Sequence, residues 1–275
     1  MISGLDANSE LFLAALDRVQ RRISDANLQA TSGKRVSVAS DAPDQVSDLL
    51  KLKAEQRHNT QAKANLAVAK ADADTADNTI SASIRLLDRA LQVGAQGANS
   101  TLDADKRLSL ANEIEALQAQ VQANSRALTL PANFQIEDPA GGSFAASKSA
   151  AEIYDLHNPD GTVASGNVFT ALNDLRLALL SNNVTGVTTA IDAVKTASGY
   201  LNSMEAFYGT VQNRIDAATD YAQSHDIDLK AQISQKEDAD LPTAALQITQ
   251  GNTQLQAAFQ LRAKIPQSSL FDYLG

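Results

Sequence analysis

The placement of proline is the feature that most constrains how this chain can fold. The six prolines of the sequence leave two long stretches, residues 44–130 and 160–241, without any proline. A proline inside a helix costs about 3 kcal/mol, so only stretches of this kind can form long uninterrupted helices. Between them, Pro131, Pro139 and Pro159 fall close together. The pattern predicts two long helical regions separated by a short non-helical segment.

The short segment, residues 131–167, carries several turn signals. They are the dipeptides Gly141-Gly142, Asn158-Pro159 and Asp160-Gly161. Such pairs favour the tight turns that connect short strands. We therefore predict a small β-hairpin insertion, too small to hold much core of its own. The flanking residues 42–130 and 168–240 are predicted to form a helical bundle domain.

The N-terminal residues place apolar side chains in two rows with seven-residue spacing. Both rows belong to one helix that we expect to end at Thr31–Gly33, with Gly33 in a left-handed conformation. Together they form the narrow stripe of a coiled-coil seam. The two rows are Leu5, Phe12, Val19 and Ala26, and Ser9, Leu16, Ile23 and Ala30.

The C-terminal residues repeat this arrangement. Asp240 is a candidate N-cap for a helix whose first turn accommodates Pro242, and we expect a kink or break there. Phe259 flanks the seam, and Arg262 interrupts it, which suggests that the stripe frays or faces another subunit. The two rows are Leu241, Ile248 and Leu255, and Ala244, Gly251, Ala258 and Ile265.

Two matched stripes at the two ends of the chain predict that the ends pair with each other or polymerise. We therefore predict a terminal coiled-coil assembly domain made of residues 1–41 and 241–275. The predicted assembly interface comprises Leu5, Phe12, Leu16, Val19, Ile23, Leu241, Ile248, Leu255, Phe259 and Ile265. The predicted fold class is mainly α: an elongated antiparallel helical bundle with paired terminal helices and a small β-containing insertion.

The opening apolar run, LFLAALDRVQRRI, does not fit a targeting segment. Its arginines follow the apolar residues, whereas a signal peptide carries its positive charge first. A membrane span needs about 20 consecutive apolar residues, and acidic residues interrupt this run. A membrane-surface helix is the less favoured alternative to a helix that pairs with another helix.

No catalytic, cofactor or metal constellation is recognisable in the sequence. The chain has no cysteine, and its three histidines, His58, His157 and His225, lack metal-ligand spacing. Its formal net charge of −9 disfavours binding to nucleic acid or to anionic membranes. We therefore expect a non-enzymatic protein without cofactor, metal, nucleic-acid or membrane partners.

Several ordered segments resemble the bacterial flagellin family, which includes filament flagellin and the hook–filament junction proteins. The similar segments are SGKRVSVASDAPD (32–44), LLKLKAE (49–55), LDADKRLSLANEIEALQAQV (102–121), FTALNDLRLALLSNN (169–183), YGTVQNRID (208–216), ISQKEDADLPTAALQI (233–248) and SSLFDYLG (268–275). The proline in SDAPD, the FTALNDLRLAL helix and the SLFDYL ending look more like a junction protein than filament flagellin. Residues SRALTLPANF (125–134) depart from the family, which often has a Gly- and Tyr/Phe-rich segment there.

The resemblance implies a structural subunit of the extracellular bacterial flagellum. Such a subunit is exported unfolded by the flagellar type III apparatus, and its terminal helices pair when it assembles with copies of itself, a hook-associated protein and flagellin. A cytoplasmic export chaperone would hold the C-terminal helix beforehand. LLDRALQV (86–93) is similar to the flagellin region that an innate immune receptor contacts, which would make Arg89 receptor-facing.

Three alternatives remain open at the level of sequence. The chain could be flagellin forming the bulk of the filament, or a coiled-coil secretion or adaptor protein unrelated to flagella. The adaptor alternative predicts that the termini pair stably in the monomer. The third alternative is an enzyme whose active region is the insertion, with His157 or Tyr154 as its candidate residues.

Overall fold

A computed structural model describes residues 3–264 and shows a mainly helical protein, as predicted. Helices pack against each other in a bundle, and a small antiparallel sheet completes the fold. The helices are α1 (Ser3–Ser32), α2 (Pro43–Gly97), α3 (Ala104–Ala127), α4 (Ala150–Tyr154), α5 (Val168–Leu180), α6 (Val184–Glu237) and α7 (Leu241–Lys264). The strands are β1 (Gln135–Glu137) and β2 (Ser143–Ala145), and a 3-10 turn covers Ala39–Asp41.

Local signals account for most of the helix ends. α1 stops at Ser32, and the next residue, Gly33, takes a φ of +69° that a residue with a side chain rarely adopts. The side chain of Asp103 accepts a hydrogen bond from the Lys106 N–H at 2.9 Å, so α3 begins directly after Asp103. Asp240 caps α7 in the same way, and the predicted break near Pro242 is the gap between α6 and α7.

The chain divides into two compact units. One comprises residues up to Arg57 together with those from Ile227 onward, and the other runs His58–Asp226. α2 and α6 each supply residues to both units. The three-domain division proposed from sequence stays a prediction.

The unit His58–Asp226 holds one large apolar core. Most of its members come from α2, α3, α5 and α6, and they include the fully buried Leu66, Ile80, Leu87, Ile114, Leu172, Leu201 and Ile215. Gly97 permits a close approach, since a Cβ placed there would lie 2.2 Å from Cδ2 of Leu179.

The predicted hairpin is present, and the insertion shares the main core. β1 and β2 pair through Ile136 and Phe144, and the turn between them uses positive φ angles at Gly141 and Gly142. Ile136, Phe144 and the fully buried Tyr154 all belong to the core of the unit. A segment this short is stabilised because it packs on the long helices instead of on itself.

Buried Arg107 connects two turns at one end of the same unit. Its guanidinium donates to the carbonyl oxygens of Gly97 at 2.9 Å and Asn99 at 2.6 Å, and to the side chain of Asn182. The first two bonds satisfy carbonyls at the C-terminal end of α2, where positive charge is favoured. Arg107 therefore stabilises the turns after α2 and α5.

Candidate functional site

The terminal helices α1 and α7 pack against each other. On α1, the predicted positions Phe12, Leu16, Val19 and Ile23 are half-buried; on α7, Ile248 and Leu255 are half-buried, and Ala244 and Gly251 are buried. The structure therefore brings the two sequence stripes together along one seam. The side chain of Leu5, and the whole of Ile265, lie outside the described residues.

A second set of apolar side chains on the same two helices points to solvent. We call Leu11, Leu13, Leu28, Leu246, Phe259 and Leu261 the outer row, and each is more than half exposed. Leu241, which was predicted to lie in the interface, is also about half exposed. Of the outer row, sequence reasoning had named only Phe259, because the other members fall off the two seven-residue rows. Their signal in the sequence is weak: large apolar residues at positions where a simple two-helix pair would place polar ones.

Arg262 pairs with Phe12 across the seam. Its guanidinium carbon lies 5.0 Å from the centre of the Phe12 ring, which is a cation–π contact. The arginine that seemed to interrupt the stripe is therefore a partner of a predicted seam residue. The basic residues of α1 lie on its solvent-exposed side, where Arg21 pairs with Asp17 one turn earlier.

The segment that follows α1 meets the end of α6 and the start of α7. The Arg35 N–H donates to the Glu237 carbonyl at 2.7 Å, and the Ala239 N–H donates to the Gly33 carbonyl at 2.9 Å. Lys34 and Asp238 form an antiparallel bridge between the two segments. Two motifs that carry the family resemblance, SGKR and KEDAD, are thus in direct contact although about 200 residues separate them.

A buried ion cluster accompanies this backbone pairing. The Glu237 side chain is only 6% exposed, and its two oxygens lie 2.6 Å from Nζ of Lys34 and 2.5 Å from Nζ of Lys53. We call these three residues the ionic clasp. Lys53 belongs to α2 and Glu237 ends α6, whereas Lys34 belongs to the segment after α1. A small apolar cluster of Val36, Ala42 and Leu49 lies in the same unit.

The clasp shifts the pKa values of Glu237 and Lys34. Burial by itself raises the pKa of Glu237, but hydrogen bonds from Lys34 and Lys53 outweigh burial and hold that pKa below its usual value. The hydrogen bond to Glu237 raises the pKa of Lys34. Glu237 and Lys34 are therefore both charged at neutral pH. Nothing in the sequence indicates that the Glu237 carboxylate is buried.

Arg89 lies on α2 in the other unit. It is solvent-exposed and pairs with Glu113 of α3, with Nη2 2.6 Å from a carboxylate oxygen. Its Nη1 also donates to Gln92 at 3.4 Å. The receptor-facing role of Arg89 stays a prediction.

Two family models match the chain, and together they span both ends. The model of the bacterial flagellin N-terminal helical region matches residues 7–128, and that of the bacterial flagellin C-terminal helical region matches residues 191–274. The residues outside these matches include the insertion and α5. No protein of curated function has a significant sequence match to the chain.

Two solved structures show the same fold. A candidate flagellar hook-associated protein from Vibrio parahaemolyticus is 15% identical with a TM-score of 0.61, over 72% of this chain and 100% of that one. FlgL of Bacillus cereus is 13% identical with a TM-score of 0.53, over 66% of this chain and 98% of that one. No helix in the described range, residues 3–264, is long and apolar enough to cross a membrane.

Proposed function

Because the chain belongs to the bacterial flagellin family, we propose that it is a structural subunit of the flagellum that joins the hook to the filament. The observation that carries the proposal is the outer row of the α1–α7 pair. Those six apolar side chains are more than half exposed in the isolated chain. Fully burying one large apolar side chain is worth about 1.5–3 kcal/mol, so a neighbouring subunit that covers them gains substantial free energy.

The choice of a junction role over a filament role is supported by the structural neighbours. One of the two solved structures is named a flagellar hook-associated protein and the other FlgL, and this chain spans nearly the whole length of each. The segments SDAPD and SLFDYL point the same way in the sequence. Flagellin forming the bulk of the filament is the second candidate, since the family models describe flagellin itself.

The proposal includes partners and a route. The terminal pair would contact copies of the same chain, a hook-associated protein and flagellin, and the chain would reach the flagellum by export. Before export, a cytoplasmic chaperone would cover the apolar residues of α7, among them Leu246, Phe259 and Leu261, which otherwise favour aggregation. The role is mechanical, and we propose no reaction for this protein.

Quantitative mass spectrometry of sheared flagella, with a deletion strain beside it, tests the proposal. A junction subunit is present in a few copies per flagellum, and its deletion releases filament protein into the medium. A filament subunit is present in far more copies per flagellum than a junction subunit, and its deletion leaves bare hooks. Absence of the chain from purified flagella would contradict both roles and favour a non-flagellar adaptor.

A further inference from the structure

Three contacts along the terminal helices define how α1 and α7 are aligned. At the base of the pair, the Ala239 N–H donates to the Gly33 carbonyl at 2.9 Å. Further along, Ile23 packs so closely on Gly251 that a Cβ added to this glycine would lie 2.4 Å from Cγ1 of Ile23. Near the far end, Arg262 stacks on the Phe12 ring.

The Ile23–Gly251 and Phe12–Arg262 contacts share one antiparallel register. Phe12 lies 11 residues before Ile23 on α1, and Arg262 lies 11 residues after Gly251 on α7. At a rise of 1.5 Å per residue, this alignment is kept over about 16 Å of helix. The pair therefore adopts a definite register, which must have a physical cause.

The apolar seam by itself does little to fix this register. Its large residues repeat every seven positions, so sliding α7 by one heptad would replace Leu255 opposite Val19 with Ile248, another aliphatic side chain. These seam residues are only half-buried, so a slide changes little apolar burial. Ile23 opposite Gly251 is the main steric preference within the seam.

The ionic clasp lies at the base of the pair, and a slide of α1 along α7 would break its Lys34–Glu237 ion pair. Lys53 and Glu237 are held by α2 and α6, while Lys34 is attached to the end of α1 through Gly33. A shift of the segment after α1 would remove Lys34 from the buried carboxylate. Buried charges that lose a partner are strongly unfavourable, which makes the clasp sensitive to position in a way that apolar contacts are not.

We propose that the ionic clasp of Lys34, Lys53 and Glu237 sets the register of the α1–α7 pair, with Gly251 as the position that receives Ile23. This inference rests on the proposed assembly function and deepens it. In the observed alignment Leu11 and Leu13 of α1 lie at the same level of the pair as Leu261 of α7, and a slide of one heptad would separate these levels by about 10 Å. The clasp thus determines which surface the pair presents to a second copy of the chain, and its members act as positioning residues.

Disulfide trapping in the purified full-length chain tests the register directly. The chain has no cysteine, so introduced pairs are its only thiols. Val19→Cys with Leu255→Cys reports the observed register, and Val19→Cys with Ile248→Cys reports a slide of one heptad. Equilibration in glutathione buffers gives an effective concentration for each pair, even when the helices pair only part of the time. We expect the first pair to exceed the second by at least about tenfold, because a slide takes Lys34 away from the buried Glu237 carboxylate and leaves that carboxylate with Lys53 alone.

Lys34→Gln and Glu237→Gln should each reduce this ratio at least severalfold. Asp17→Asn is the matched control: it breaks an exposed ion pair with Arg21 on α1 and should leave the ratio unchanged. Lys34 is half exposed, so its replacement tests the clasp even if Glu237→Gln loosens the fold. Circular dichroism of each variant verifies its helix content.

Two results would overturn the proposal: equal effective concentrations for the two cysteine pairs in the parent, or a ratio that both clasp variants leave untouched. Neither result depends on flagellar assembly, since the measurement uses the isolated chain. A failure of the proposed function would appear instead in the mass spectrometry of flagella, with the trapping ratio intact.

Discussion

The exposure of the outer row predicts how much one of its residues contributes to assembly. Leu246 is 56% exposed in the isolated chain, and complete burial of a leucine is worth about 1.5–3 kcal/mol. Covering the exposed part in the assembled flagellum therefore contributes about 1–1.5 kcal/mol. Leu246→Ser should forfeit most of this, which corresponds to a roughly five- to tenfold weaker incorporation.

The assay is a competition between equal amounts of parent and variant chains for the same flagella, expressed in a strain without the natural gene. Peptides that contain residue 246 are quantified by mass spectrometry in sheared flagella and in the cell pool. Leu108→Ser is the matched control, since Leu108 is a half-exposed leucine of α3, outside the terminal pair. Substitution at an exposed site changes the free energy of unfolding by about 0.5 kcal/mol or less, so both variants should remain as stable as the parent.

An incorporation ratio near one for Leu246→Ser would refute the reasoning, because the side chain would then stay exposed in the flagellum. An equal loss for Leu108→Ser would also refute it, because assembly would then depend on exposed apolar area in general. A melting transition of the variant well below that of the parent would show that Leu246 stabilises the monomer.

Three further predictions concern stability. Arg107→Met should destabilise the chain by about 1–3 kcal/mol in urea unfolding, because it leaves the carbonyl of buried Gly97 without its side-chain donor; Arg85→Met, an exposed change on α2, should have little effect. Gly97→Ala should cost about 1–3 kcal/mol, since the added methyl group overlaps the Leu179 side chain. The lowered pKa of Glu237 stabilises the fold fully above the ordinary glutamate pKa of about 4.3, and this contribution is lost as the pH falls below that value. Thermal melts from pH 7 to 3 should therefore converge for the parent and Glu237→Gln; parallel curves would contradict the assignment.

The two solved structures share little sequence with this chain, and the two family models match only part of it. The two family models cover the terminal helices and most of α2, α3 and α6. The insertion and α5 lie outside both models, although Phe144, Tyr154 and Leu172 belong to the main core. The core of the unit His58–Asp226 thus combines helices that the family models match with segments that lie outside both models.

Helix ends, the hairpin and the seam could be predicted from the sequence because each depends on residues close together in the chain. Gly33 stops α1 through its own backbone freedom, and Asp240 caps α7 through an N–H three residues away. Gly141 and Gly142 form a turn within the hairpin that they connect. Seven-residue spacing likewise places Leu16 and Ile23 on one helix face whatever the rest of the fold does.

The clasp, the Phe12–Arg262 contact and the outer row were decided only by the tertiary structure. Lys34 and Glu237 lie about 200 residues apart, and nothing near either residue in the sequence specifies a charged partner. Arg262 interrupts the apolar pattern of α7, and its partner, the Phe12 ring, belongs to α1. Local preference and periodicity act over a few residues, whereas the burial of a charge, or the exposure of a leucine, depends on which distant segments fold against it.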